Sequence, residues 1–357
     1  MADTLCTTRR ALLKAGCGAL AALAAGCDGR RAAAGAERTF AFHGLAMGST
    51  YTVKVVAPGL SAAGRSAVRE AAYAALERIE ARMSTYRADS ELARFNRHAA
   101  PTPFAVSAET LAVLATAQRV SAASGGAFDV TVAPVVDAWG FGPSKRHRVL
   151  ADGERRALGA RVGHRMLALD APAGTVTKSR PDVRADLSGI AKGFAVDAAA
   201  HAIEALGFSD FLVEAGGEVR TRGHNAAGEP WRVGIERPDA LPQQVHRIVP
   251  LRDGSLATSG DYRIFFEHDG RRFCHEMDPA TGAPVAHRLA SVSVVHADCA
   301  LADAWSTALF VLGPERGFAL AAAQGLAAHF ILREARGFED RQTPAFAALG
   351  AGPSLRG

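Results

Sequence analysis

The stretch Asp186-Leu187-Ser188-Gly189-Ile190-Ala191-Lys192-Gly193 reads as a glycine-containing turn that opens a helix. Ala195, Ala199, Ile203 and Leu206 fall on one stripe, which predicts a helix over 190–206 stopped by Gly207. Phe211-Leu212-Val213-Glu214 then reads as a strand. Trp231 to Ile235, His246 to Leu251 and Ser291 to Val295 do the same. Helices do not alternate regularly with these strands, as a parallel doubly wound sheet would require. The order therefore predicts an α+β fold, a largely antiparallel sheet packed with helices. On the N-terminal side, Tyr51 to Val56 alternates as a strand, and Val68, Ala72, Leu76, Ile79 and Met83 predict an amphipathic helix over 65–83. Ser107 is placed to cap a helix over 108–123 that ends at Gly125-Gly126. Residues 143–155 read as a polar loop. Leu301 to Leu312 reads as a helix stopped by Gly313-Pro314.

At 357 residues the chain has room for one large domain or two smaller ones, and no internal repeat divides it. Its 48% hydrophobic and 22% charged residues exclude a disordered chain and a polytopic membrane protein. The net charge is +5, part of it from Arg9, Arg10 and Lys14, and no dense Lys/Arg block supports nucleic-acid binding. No strand is followed by a complete dinucleotide glycine fingerprint, because Gly140-Phe141-Gly142 lacks the third glycine.

The N-terminus reads as an export signal over residues 1–26. Arg9-Arg10 precede an apolar stretch, Ala15 to Gly26, too short to span a bilayer, and the pair suggests the twin-arginine route. Leu23-Ala24-Ala25-Gly26-Cys27 resembles a lipoprotein cleavage site that would leave an acylated Cys27. Ordinary signal-peptidase cleavage is the alternative. Residues 27–39 then form a tether. Cys274 and Cys299 lie alone in the body, and without any C-x-x-C a zinc framework is not expected. A Cys274–Cys299 bridge stays open as a choice in an oxidising compartment.

Two segments carry the clearest chemistry. The turn at Asp186–Gly193 presents backbone N–H groups and the positive end of a helix, with Lys192 adding charge; that suits a pyrophosphate, and a simple helix cap by Asp186 or Ser188 is the plain alternative. Asp303 and Thr307 stand at i and i+4, one turn apart on one helix face. A carboxylate and a hydroxyl are hard donors that suit Mg²⁺, although such a pair is common by chance. His275, beside the turn at Asp278-Pro279, is the candidate general base, since imidazole titrates near neutrality.

Taken together with Ala46-Met47-Gly48-Ser49, Ser84-Thr85-Tyr86, Phe128-Asp129-Val130-Thr131, Trp139-Gly140-Phe141-Gly142, Gly216-Gly217, Thr258-Ser259-Gly260-Asp261-Tyr262-Arg263, His275-Glu276-Met277-Asp278-Pro279 and Ala302-Asp303-Ala304-Trp305-Ser306-Thr307, the chain resembles the ApbE family of flavin transferases. The likeness runs from about residue 40 to 350. It implies a single catalytic domain with an ApbE-like, T-fold-like core. It implies an FAD site lined by Met47, Tyr86, Ala127, Phe128 and Asp129, with Asp186 and Lys192 on polar groups of FAD and Met277 completing the pocket. It also implies Mg²⁺ held by the Gly189 carbonyl, Asp303 and Thr307. Gly189 departs from members with Thr or Ala there, and Glu218 departs from the frequent Asn or Asp and receives no role.

The implied reaction moves FMN from FAD to a Thr or Ser hydroxyl of an exported or membrane-bound redox protein and releases AMP. FAD hydrolysis to FMN and AMP, and a non-catalytic FAD- or solute-binding lipoprotein, are the alternatives. The implied location is the periplasmic side of the inner membrane, through a lipid on Cys27.

Overall fold

The computed structural model describes residues 38–239 and 242–349. The expected export signal, Cys27 and all but the last two residues of the expected tether lie outside them. No helix among the described residues is long and apolar enough to cross a membrane.

Eight strands form one antiparallel sheet whose spatial order follows the chain: β1 (Thr39–Ala46), β2 (Ser49–Val56), β3 (Phe211–Ala215), β4 (Glu218–Arg222), β5 (Ser255–Gly260), β6 (Leu289–His296), β7 (Ala327–Arg333) and β8 (Phe338–Gln342). Strand β1 was not anticipated from the sequence. It pairs with β2 through Met47-Gly48, both at positive φ (55° and 71°), a conformation that matches the twist of a two-residue hairpin.

Four long helices pack on one side of this sheet: α1 (Ala62–Met83), α2 (Ala108–Ala123), α3 (Ala191–Ala205) and α4 (Cys299–Ala323). Ser61 caps α1 by accepting from Gly64 N–H at 3.1 Å, which starts that helix three residues before the expected point. Ser107 caps α2 as expected. The Val68, Ala72, Leu76, Ile79 and Met83 stripe of α1 is buried against α3. Helix α3 packs in turn on α4, and α4 lies across β5 and β6. At Gly313 (φ 81°, ψ −179°) the backbone leaves the helical region, so the first helical run stops where expected, and a second run that begins at Pro314 extends α4 to Ala323. The expected loop at 143–155 is instead irregular only to Ala151, after which Asp152–Gly159 is helical.

The two runs at 231 and 246 pair with each other, as Trp231–Glu236 and Val245–Leu251, and not with the large sheet. Their apolar residues form a second cluster with Leu256, Ile331 and Phe346, on the face of the sheet away from α4. Strand β6 is consequently buried on both faces: Leu289, Val292 and Val294 join the helical core and Ala290 joins the second cluster. Cys274 and Cys299 are both buried free thiols, so no bridge links them.

Candidate active site

The site is built where α3 begins. Helix α3 has no cap from its own turn: Ile190 stands at the N-cap without a side-chain bond, and Asp186 Oδ1 instead accepts from Ser188 N–H at 2.8 Å within the turn. The cap comes from another helix. Asp303 on α4 is buried, and its Oδ2 accepts from Gly193 N–H at 3.0 Å. The approach is close because residue 193 is glycine. A Cβ there would stand 2.3 Å from the Cys299 carbonyl oxygen. Asp197, one turn further along α3, returns the arrangement by accepting from Cys299 N–H and Ala300 N–H, at 3.0 and 2.9 Å, and so caps α4.

Thr307 follows Asp303 by one turn, and a Cβ on Gly189 would meet its Oγ1 at 3.1 Å and the Phe128 ring at 3.2 Å. Gly189, Phe128, Asp303 and Thr307 are thus brought together. Ser259 on β5 lies 3.1 Å from Thr307 Oγ1 and 3.0 Å from Ser306 Oγ, which orients the threonine.

Lys192 points to the turn Gly216-Gly217 between β3 and β4 and pairs with the buried carboxylate of Glu218. Burial alone would lower the Lys192 pKa, but Glu218, Asp303 and Glu276 together hold it above its ordinary value. The acids respond the opposite way. Burial raises Glu218 to about 7 and Glu276 to about 8, with Lys192 opposing and Asp303 adding to the rise in both. Burial likewise raises Asp303. One ammonium therefore faces three buried carboxylates, and Glu218 Oε2 has no hydrogen-bond partner among the described residues. Glu218 and Glu276 are the members that sequence reasoning passed over. Glu218 follows the glycine pair directly and Glu276 sits between two residues already singled out, so a charge inside each motif was the available signal.

His275 lies half-buried on the far side of Glu276. Its Nδ1 stands 3.3 Å from the Ile264 carbonyl oxygen, which can only accept, so Nδ1 carries the proton and Nε2 the lone pair. Nε2 faces Glu276 Oε1 at 3.6 Å. Burial pushes the ring down to about 4, with Lys192 contributing to the fall, so it is neutral at neutral pH.

Tyr86 is exposed, but its hydroxyl donates to the Phe141 carbonyl at 2.9 Å, which fixes the ring, and the Lys145 ammonium lies 5.9 Å from its centroid. Beside it opens a cleft of about 390 Å³ lined by Thr85, Asn96, Asp137, Arg184 and Asp186. Burial raises both the Tyr86 hydroxyl and the Asp186 carboxyl above their ordinary values. Met277 is buried in a cluster with Trp139 and Phe141, behind Tyr86's hydrogen-bond partner. Met47 donates its N–H to Glu80 Oε2 at 2.7 Å. Asp129 is hydrogen-bonded inside the protein: Oδ1 accepts from Thr131 N–H and Oγ1–H, at 2.8 and 2.6 Å, and Oδ2 from His164 N–H at 2.7 Å. It braces the loop that carries Ala127 and Phe128, and Oδ2 takes only the one bond among the described residues.

Comparison with known proteins identifies the family. The ApbE family model matches residues 47–330. A relative from Haemophilus influenzae, named FAD:protein FMN transferase, is 42% identical over 87% of this chain and 92% of its own. The flavin transferase ApbE from Vibrio cholerae superposes with a TM-score of 0.79 at 39% identity, over 87% of this chain and 98% of that one. The apo form of the Pseudomonas stutzeri flavinyl transferase ApbE gives a TM-score of 0.80 at 40% identity, over 88% and 98%. With most of its length matched in sequence and in fold, the chain belongs to the ApbE family.

Proposed function

We propose that the protein transfers FMN from FAD to a Thr or Ser hydroxyl of an acceptor redox protein, with Mg²⁺ as the required ion and AMP as the leaving group. The observation that carries this reading is the junction of α3 and α4: a helix N-terminus and a lysine for a pyrophosphate beside an Asp/Thr pair for a hard cation. The donor set fits Mg²⁺. Asp303 and Thr307 offer hard oxygens, the Gly189 carbonyl is at hand, and three buried carboxylates against one lysine leave a cation deficit. When bound, Mg²⁺ supplies neutralisation of the charge that builds on the pyrophosphate oxygens.

The residues divide the remaining work. Lys192 and the start of α3 bind and orient the pyrophosphate. Tyr86, held by Phe141, offers a ring face to the flavin or adenine system, and Asp186 lies at the cleft to meet a polar group of FAD. Met47, Ala127, Phe128 and Met277 supply apolar contacts. The acceptor hydroxyl attacks the FMN-side phosphorus. A phosphorus–oxygen bond forms, the bond to AMP breaks, and the hydroxyl proton passes to His275 Nε2. A base lowered to about 4 is weak in the free protein, and the two negative charges of an incoming pyrophosphate would raise it towards neutrality. Mass spectrometry of a candidate acceptor, incubated with FAD, Mg²⁺ and this protein, tests the reading. A flavin adduct on Thr or Ser supports it, and FMN plus AMP with an unmodified acceptor replaces it with hydrolysis.

The proposed location is the periplasmic side of the inner membrane, anchored through acylated Cys27. The support is the Arg9-Arg10 segment and the small residues before Cys27. One acyl chain anchors only marginally, so the anchor requires more than one. Mature protein from a Cys27→Ser variant should lack lipid and leave the membrane fraction. Wild-type protein that starts elsewhere without lipid refutes the anchor.

A further inference from the structure

A second polar cluster lies on the opposite face of the large sheet from Asp303. Along β7, Ala328, Phe330 and Leu332 enter the helical core, while Ile331 enters the second cluster. Side chains alternate along a strand, so His329 shares the face of Ile331. In the β7–β8 pairing Ile331 stands opposite Asp340 and His329 opposite Gln342, which places His329 and Asp340 as diagonal neighbours on that face. The hairpin 231–251 covers the same face and contributes His246.

The three side chains converge. His246 Nε2 lies 2.8 and 3.0 Å from the two Asp340 carboxylate oxygens. His329 Nε2 lies 3.5 Å from Asp340 Oδ2. One donor atom from each of the three falls within 4.8 Å of the others. His329 is completely buried, packs against Phe346 with ring centroids 5.2 Å apart, and neither of its ring nitrogens has a hydrogen-bond partner among the described residues. An unpaired imidazole nitrogen in such a place is costly, and a ligand that takes its lone pair removes the cost.

We propose that His246, His329 and Asp340 form a binding site for one borderline transition-metal dication, of which Zn²⁺ is the type, clamping the 231–251 hairpin to the β7–β8 edge of the sheet. Two imidazoles and a carboxylate are the donor set of such ions, whereas Mg²⁺ prefers oxygen throughout. Around a tetrahedral ion with bonds of about 2.0–2.1 Å, ligand atoms stand about 3.4 Å apart. The cluster needs only small shifts to reach that spacing. Asp340 is exposed and His246 half-buried, and the hydrogen-bonded pair can shift together, while His329 is held by its strand and by Phe346. The exposed side of Asp340 leaves room for water as fourth ligand. Burial, opposed by Asp340 and aided by Arg247, pushes His329 down to about 4, so it is present as the neutral imidazole that a metal takes.

The test uses the mature exported chain, stripped with chelator and then held in millimolar Mg²⁺ so that hard-cation sites are filled. Zn²⁺ titration followed by calorimetry and metal analysis should give one tightly held ion per chain and a raised Tm. Co²⁺ in its place should give the visible absorption of a tetrahedral nitrogen–oxygen site. Asp340→Asn changes an exposed position and His246→Gln a half-buried one where the amide can still hydrogen-bond Asp340, so both should leave the Tm of the stripped protein near that of wild type, while weakening Zn²⁺ binding by about a hundredfold or more. The proposal is overturned if stripped wild type binds no stoichiometric Zn²⁺, or if both variants bind it as tightly as wild type. In the second case the ion sits elsewhere.

Discussion

Asp303 Oδ2 receives the N–H of Gly193 at 3.0 Å, across 110 positions of sequence, and so joins the proposed cation ligand to the helix start proposed to bind the pyrophosphate. One oxygen of this carboxylate holds two helices together, and among the described residues no hydrogen bond reaches the other. The same residue is therefore structural on one side and available on the other.

Replacing Asp303 by Asn separates those two roles. The amide oxygen still accepts from Gly193, so the Tm should stay near wild type, and loss of one buried negative charge favours the fold. Flavin transfer at saturating FAD should fall by at least about a hundredfold. Retained Mg²⁺-dependent activity would remove Asp303 from the ion site.

His275→Ala should lower acceptor flavinylation by about 10²–10⁴-fold with little change in FAD affinity. Single-turnover transfer and FAD binding measured on the same variant decide the point. If FAD affinity falls and turnover at saturating FAD is nearly normal, the histidine holds the turn or a phosphate and the proton leaves by another route.

Lys192→Met leaves Glu218 buried without its partner. The variant should lose about 3 kcal/mol in urea unfolding without Mg²⁺, and the Lys192→Met/Glu218→Gln pair should recover most of that loss. A double variant no more stable than the single one contradicts the pairing as the source of the effect.

Gly193→Ala drives a methyl group into the Cys299 carbonyl. Backbone cannot yield as a side-chain end does, so a cost of at least about 1–3 kcal/mol is expected, together with a loss of transfer as α3 and α4 part. Wild-type Tm and activity in this variant would mean that the two helices do not need so close a crossing.

Lys178 allows a test by pH. It is fully buried, donates to the Asn96 and His98 carbonyls at 3.2 and 3.0 Å, and burial lowers it from 10.5 to about 8. Between those values the unfolded chain holds the proton and the folded chain does not, so this group makes stability rise with pH from 8 to 10.5. Below pH 8 both states are protonated and the dependence vanishes. The Tm difference between wild type and Lys178→Met should therefore move in favour of wild type as pH is raised from 8 to 10. A flat difference would place the Lys178 pKa at its ordinary value.

Local chemistry was readable in the sequence wherever a single window contains the whole cause. The α1 stripe, the Ser107 cap and the 190–206 helix rest on bonds and periodicity spanning a few residues, and α2 and α3 end within a residue or so of where they were expected. The i, i+4 placement of Asp303 and Thr307 follows from helix geometry alone. Windows failed where the cause is distant. Strand β1 carries no clean alternation and is defined by pairing with β2. The 231–251 runs read correctly as strands, but only packing on Ile331 and Phe346 placed them outside the large sheet. Glu218 and Glu276 look like ordinary strand and loop acids until tertiary folding buries both around Lys192. No window shows that Asp129 also braces its loop through His164, 35 residues away. The division has one physical reason. Helix and turn preferences are set by neighbouring dihedrals and short-range hydrogen bonds, so the chain states them locally, whereas burial, charge pairing and the freedom of a carboxylate oxygen depend on which distant segment arrives beside it.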